Sequence, residues 1–209
     1  MNYIKKHPWT WVLIGSLMMW GATFFMHDKT ADDSIDKLPW KSQVLPNGHH
    51  KALGLITHES TLKEAMFQYG REVDVKMFMD ASGRMDIEAF FDAIRIAGLG
   101  AKLIVRLDVP EKHKQAIFDR GLEIMKQETG NWTIELSPAD RNELMDYPIN
   151  LLTLIPKTDL DEDIINNRFG VPDTKTPDST NPSLTHWRYL DRQMNIIVDP
   201  KAKEIIEYY

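Results

Sequence analysis

The 209 residues contain no cysteine. That removes disulfides, thiolate metal sites and a cysteine nucleophile. It also excludes a lipoprotein, which needs a cysteine to carry its lipid. Positive charge is scarce too, with 25 Lys and Arg against 31 Asp and Glu and a net charge of −6. Lys5 and Lys6 are the only basic residues before Asp28, so the chain beyond them is more acidic still. Charge of that sign repels phosphate backbones and no basic stripe offsets it, so nucleic acid is not an expected partner.

Complete catalytic signatures are missing as well. His58–Glu59 opens like a zinc-protease helix, but the second histidine of that motif would fall at Leu62. Asp159, Asp161 and Asp163 imitate the start of a calcium loop. The required glycine is instead Ile164, and the bidentate acid of the twelfth position is Gly170. Acids at the positive end of a helix dipole explain this run. Gly98–Leu99–Gly100–Ala101–Lys102 lacks the Gly-Lys-Ser/Thr ending of a phosphate loop and reads as a turn or bulge between strands. Met77, Met79, Met85 and the pair His49–His50 bring copper to mind, since thioether and imidazole both bind it. The three methionines fall at inward strand positions, where core packing accounts for them. No metal or cofactor is expected.

What the chain does possess is one long apolar run. From Pro8 to Met26 there is no ionisable side chain, and Trp9–Phe25 is almost wholly apolar. As a helix at about 1.5 Å per residue this run spans a bilayer core, and Trp9, Trp11 and Trp20 suit the headgroup level. Lys5 and Lys6 precede it, while Asp28, Asp32, Asp33 and Asp36 follow. The Lys/Arg bias keeps the short tail cytoplasmic and puts the rest outside. The expectation is a single-pass inner-membrane protein: residues 1–8 a cytoplasmic tail, 9–26 a transmembrane signal-anchor, and the C-terminal part in the periplasm. A cleaved secretory signal is the competing reading, but the best small-residue site, Gly21–Ala22, lies inside the apolar run.

Residues 27–52 read as a tether, rich in Asp, Lys and Ser and broken by Pro39 and Pro46–Asn47–Gly48. Trp40 stands out there as a residue that packs back on the domain or docks a partner. Beyond Leu53 the pattern alternates between helix and strand, giving an α+β fold of short helices on antiparallel sheet. A capping box at Thr61–Glu64 starts a helix that ends at Tyr69–Gly70. Val73–Met79 and Met85–Ala89 alternate around a turn at Asp80–Gly83 as a hairpin. Ala101–Leu107 reads as a strand, Glu111–Gln127 as a helix, Trp132–Leu136 as a strand, Pro138–Met145 as a helical turn and Ile149–Ile155 as a strand. Asp159 with Glu162 caps a helix that stops at Phe169–Gly170. A loop over Val171–Leu184 and three strands, Thr185–Leu190, Met194–Val198 and Glu204–Tyr208, complete the chain. Each end of this region carries a capped helix closing on aromatic–glycine and then alternating strands. Two similar α–β units, 53–156 and 157–209, would explain the echo, and so would chance.

In the second unit, Phe169–Gly170–x–Pro172 follows a capped helix, His186–Trp187–x–Tyr189 begins the strands, and Met194–Asp199 and Lys203–Ile206 continue them. This arrangement resembles the BamE-like (SmpA/OmlA) envelope family, small helix-then-sheet modules of the bacterial periplasm. The resemblance covers about 50 residues and implies a non-catalytic protein-binding module. Family members are typically lipidated through an N-terminal cysteine, which this chain lacks.

The expected function is therefore a membrane-anchored scaffold or interaction subunit of an envelope complex, such as secretion or assembly machinery. The expected contact residues are Trp40, Pro172, Pro177, Pro182, Trp187 and Tyr189. The loop Val171–Leu184, with three prolines in about 14 residues, is long enough to be functional or disordered. The alternatives are a periplasmic hydrolase built from His58, His113 or His186 with scattered acids, and a metal or ligand sensor.

Overall fold

The computed structural model describes residues 35–96, 98–127 and 131–209. The helix expected over 9–26 lies outside these residues, and no helix among them is long and apolar enough to cross a membrane. The described chain is α+β, with four α-helices packed on antiparallel sheet.

Three short strands, β1 (Gln43–Val44), β2 (His50–Ala52) and β3 (Leu55–Ile56), form a small meander. Helix α1 (Leu62–Tyr69) follows. Its capping box is intact: Thr61 Oγ1 accepts from the Glu64 N–H at 3.3 Å, and Glu64 Oε2 accepts from the Thr61 N–H at 2.9 Å. Gly70, at φ +119°, ends it. The chain continues through β4 (Asp74–Met79), β5 (Met85–Ile96), β6 (Leu99–Leu107), α2 (Glu111–Asp119), β7 (Glu123–Lys126), β8 (Trp132–Glu135), α3 (Pro138–Leu144) and β9 (Ile149–Pro156). Then come α4 (Glu162–Phe169), β10 (Thr174–Pro177), β11 (Thr185–Tyr189), β12 (Met194–Val198) and β13 (Ile205–Tyr208).

Strands β4 to β13 make one ten-stranded antiparallel sheet in the order β10-β11-β12-β13-β9-β6-β5-β4-β8-β7. Twice in the chain a helix that closes on aromatic–glycine is followed by four strands lying in sequence order, β4-β5-β6-β9 and β10-β11-β12-β13. The two fourth strands pair with each other, Ile206 opposite Leu154. In the first set, α2, β7, β8 and α3 are inserted between the third and fourth strands.

Alternation assigns the faces. Met77, Ile87, Phe91, Leu103, Val105, Leu152, Leu154, Trp187, Ile196 and Ile206 point to one side and are buried. Leu62 and Ala65 of α1, Ile117 of α2, Leu144 of α3, and Ile165 and Phe169 of α4 belong to the same core. Intervening residues on the other face, among them Phe78, Phe90, Ile104, Leu151, Ile155, Ile197 and Ile205, are half-buried. A sheet covered on one side only requires this period of two, whereas a sheet covered on both reads as continuous apolar runs.

Four local expectations are corrected. The helix expected over Glu111–Gln127 stops at Asp119, because Gly121 sits where a Cβ would lie 2.5 Å from Ile134 Cγ2. The chain turns there, and Leu122 and Met125, placed on a helix face by spacing, belong to a bend and an edge strand. The helix expected to start at Asp159 is capped two residues later by Asp161, which accepts from the Ile164 N–H at 2.7 Å, while Asp159 pairs with Lys203. The loop over Val171–Leu184 contains β10, whose pairs run from Thr174–Arg188 to Pro177–Thr185. Within the stretch read as a tether, residues 39–52 form a 3-10 turn, β1 and β2, with Pro39, Ser42, His50 and Ala52 buried.

Candidate functional site

Residues 39–42 are fastened to the sheet by side chains from its far end. Arg192 donates through Nη2 to the carbonyl of Trp40 at 2.8 Å and to Ser42 Oγ at 3.2 Å, and through Nη1 to the carbonyl of Phe169 at 2.9 Å. The Tyr208 hydroxyl donates to the Pro39 carbonyl at 3.0 Å. Burial holds the Tyr208 phenol far above its usual range, so it stays neutral and remains a donor.

That fastening sets the Trp40 ring edge-on to Phe169, with centroids 6.2 Å apart, and beneath the guanidinium of Arg168 at 4.9 Å. The result is an apolar crevice of about 220 Å³ between the N-terminal segment, the ends of β6 and β9, and α4. Trp40, Leu160, Ile164, Phe169, Pro156 and Ile206 line it, and Leu99 joins them. Leu99 and Ile164 stand 40 % and 38 % exposed, large apolar side chains left in water. Arg168 adds a cation at the lining. The arrangement can receive one apolar side chain or a small apolar group, with an anion tolerated beside Arg168.

The six residues expected to make contacts fall into three environments. Trp40 lines the crevice. Trp187 and Tyr189 are 2 % and 4 % exposed, inward residues of β11 that belong to the core and cannot meet a partner. Lys175 lies over the Trp187 ring at 3.2 Å, and Tyr189 donates to the Gly170 carbonyl at 3.1 Å. Pro172 is buried, whereas Pro177 and Pro182 are exposed. The last two flank a turn built on Asp178, which accepts from the Thr180 and Asn181 N–H groups at 2.8 Å each and from Thr180 Oγ1 at 2.9 Å. Its other oxygen meets His186 Nε2 at 3.0 Å. These donors hold the Asp178 carboxyl far below the usual carboxylate range.

The histidines named with the hydrolase reading are each bound to acids but not to one another. His113 meets the Tyr147 hydroxyl and lies 3.3 Å from Glu143. In His186 both ring nitrogens are engaged, Nε2 by Asp178 and Nδ1 by Asn195 at 3.0 Å. His58 Nδ1 lies 3.0 Å from Asp108 Oδ2. None of the three hydrogen-bonds a serine or threonine hydroxyl among the described residues. Met77 and Met85 are buried and Met79 half-buried, as core residues of the hairpin, with Met79 opposite Met85.

Comparison with known proteins adds no relative. The chain matches no family model, no curated protein and no solved structure.

Two parts of the site had no signal in the sequence. Arg192 is one basic residue in a short turn, and its three acceptors lie 23 to 152 positions away. The proximity of His49 to His58, ring centroids 5.6 Å apart, depends on how the β1–β2 hairpin folds over the turn after β3.

Proposed function

We propose that the protein is a non-catalytic interaction subunit of a bacterial envelope complex, held at the inner membrane by residues 9–26 with its α+β part in the periplasm. The apolar crevice beside Trp40 carries this reading. It is fixed by the Arg192 and Tyr208 hydrogen bonds, and it opens at a rim of exposed Leu99 and Ile164. Trp40 lies only 14 positions beyond Met26, so a partner in the same membrane is within reach of the crevice. Resemblance of residues 160–209 to BamE-like modules supports the same class, because those modules bind proteins. Aromatic residues in partly desolvated pockets are the usual anchors of such contacts.

A photo-crosslinking residue placed at Ile164 in native membranes, with one at the exposed Lys112 on α2 as control, tests the reading. A discrete adduct with an envelope protein from Ile164 only, lost when Trp40→Ala is added, is the expected outcome. Equal labelling from both positions, or none from Ile164, overturns it.

A further inference from the structure

A second constellation lies at the β1–β2 hairpin. Asn47, His49, His58, Glu59 and Asp108 come from three separate segments. His49 Nδ1 lies 2.7 Å from Glu59 Oε1, and His58 Nδ1 lies 3.0 Å from Asp108 Oδ2. Asn47 steadies the first pair by donating from Nδ2 to the same Glu59 oxygen at 2.8 Å, while its Oδ1 accepts from the His49 N–H at 3.1 Å.

Tautomer follows from these contacts. Asn47 Nδ2 also lies 3.2 Å from His49 Nδ1, but the shorter contact there is to the Glu59 carboxylate, which only accepts, so in each neutral ring that donates to its acid the proton sits on Nδ1 and the lone pair is left on Nε2. Neither Nε2 makes a hydrogen bond among the described residues. This is the arrangement that acids impose on metal-bound histidines: an acid on one nitrogen orients the ring and raises the basicity of the other. The ring centroids are 5.6 Å apart at an interplanar angle of 49°. Two imidazoles sharing one cation at metal–nitrogen distances of about 2.0–2.1 Å have centroids roughly 5–6 Å apart.

The backbone places His58 with some strain. It adopts φ +61°, unusual for a residue with a Cβ, and is held there by donation of its N–H to the Ile149 carbonyl at 2.6 Å. Asp108 is fixed beside it through its own N–H to the Pro148 carbonyl at 2.8 Å. Both His side chains are open to water, 32 % and 45 % exposed.

We propose that His49 and His58 form a two-imidazole site for a divalent transition cation of the zinc, copper or nickel class, with Glu59 and Asp108 as positioning residues. No group of three or more histidine and acid side chains among the described residues is arranged to hold a metal. The site is therefore an open one, in which water completes the shell. Imidazole selects these borderline cations over magnesium and calcium. The site is separate from the crevice beside Trp40 and does not rest on it.

Calorimetric titration of Cu²⁺ and Zn²⁺ into the full chain in detergent tests the site. One cation per chain at pH 7.5 is expected, with micromolar affinity. His49→Gln or His58→Gln removes the binding. Glu59→Gln and Asp108→Asn weaken it by about tenfold or more, the cost typical of losing such an outer partner. A merely structural acid would change the melting temperature and leave cation affinity alone. Selective broadening of the His49 and His58 ring resonances by substoichiometric Cu²⁺ reads the site without any variant. Absence of saturable binding, binding that survives the double His49→Gln, His58→Gln variant, or broadening centred on other histidines overturns the proposal.

Discussion

Arg192 and Trp40 are 152 positions apart in sequence and joined by a 2.8 Å hydrogen bond from guanidinium to carbonyl. With the Phe169 and Ser42 contacts, one half-buried cation ties the N-terminal segment to the end of α4. Burial lowers the guanidinium's affinity for its proton, yet arginine stays charged at any working pH. Arg192→Met is expected to cost about 2–4 kcal/mol, since hydrogen bonds to a charged donor contribute roughly 1.5–3 kcal/mol each and do not add fully. Denaturant unfolding measures the loss. Limited proteolysis between Ile35 and Ala52 shows whether the segment is released.

A second prediction concerns acid. His50 is fully buried, edge-on to Tyr208 at 5.7 Å, and among the described residues neither ring nitrogen makes a hydrogen bond of good geometry. Burial pushes its imidazole down to about 4 from the ordinary 6.5, partly opposed by the nearby backbone of Tyr209 and Gln193, with the Arg192 charge acting in the same direction as burial. Above pH 6.5 both folded and unfolded chains hold it neutral, and its contribution does not vary. Between pH 6.5 and 4 the unfolded chain takes up a proton that the folded chain refuses. Stability is therefore lost as pH falls through this window, by up to about 3 kcal/mol in total. Urea unfolding at pH 7, 6 and 5 should show the slope, and His50→Phe should remove this part of it.

Packing around Gly121 gives a third. A Cβ there would meet Ile134 Cγ2 at 2.5 Å and the Phe118 carbonyl at 3.3 Å, with Ile134 buried between β7 and the core. Gly121→Ala should destabilise by about 1–3 kcal/mol through overpacking. Gly48→Ala tests the opposite case, since nothing lies within 4 Å of the added atom and only the φ of +86° opposes it. Its cost is expected near 1 kcal/mol. Thermal melts of the two variants compare crowding with backbone strain.

The fourth prediction addresses the turn after β10. Asp178→Ala removes the acceptor for two backbone N–H groups, one hydroxyl and His186. A loss of about 1–3 kcal/mol is expected. Hydrogen exchange should show the Thr180 and Asn181 amides losing protection, while the β12–β13 amides keep theirs.

Much of the fold was legible because one sheet face is covered and the other is not. Alternation in Val75–Met79, Met85–Ala89 and Trp187–Tyr189 is the direct trace of that asymmetry, and the capping box at Thr61 and the aromatic–glycine stops marked helix ends. Leu122 and Met125 misled because apolar residues near a helix end suit its period as well as they suit a bend and an edge strand. Only the Ile134 side chain pressing on Gly121 decides between the two. Trp40 could be singled out as an aromatic in polar surroundings, but its neighbours could not be named, since Phe169 and Arg192 reach it through tertiary packing. Trp187 and Tyr189 show the converse error. Their alternation marked one covered face, and a covered face is where a partner cannot touch.

The pairing of β13 with β9 decides when the sheet can be finished. Until residues 205–208 have been made, β9 has only β6 beside it, and the two meanders have no edge in common. The Tyr208–Pro39 hydrogen bond closes a loop of 169 positions at the same moment. Contacts so distant in sequence make folding slow. A nascent chain that has reached Pro156 but not Ile205 therefore leaves one edge of β9 unpaired, open to pairing with another chain until β13 arrives.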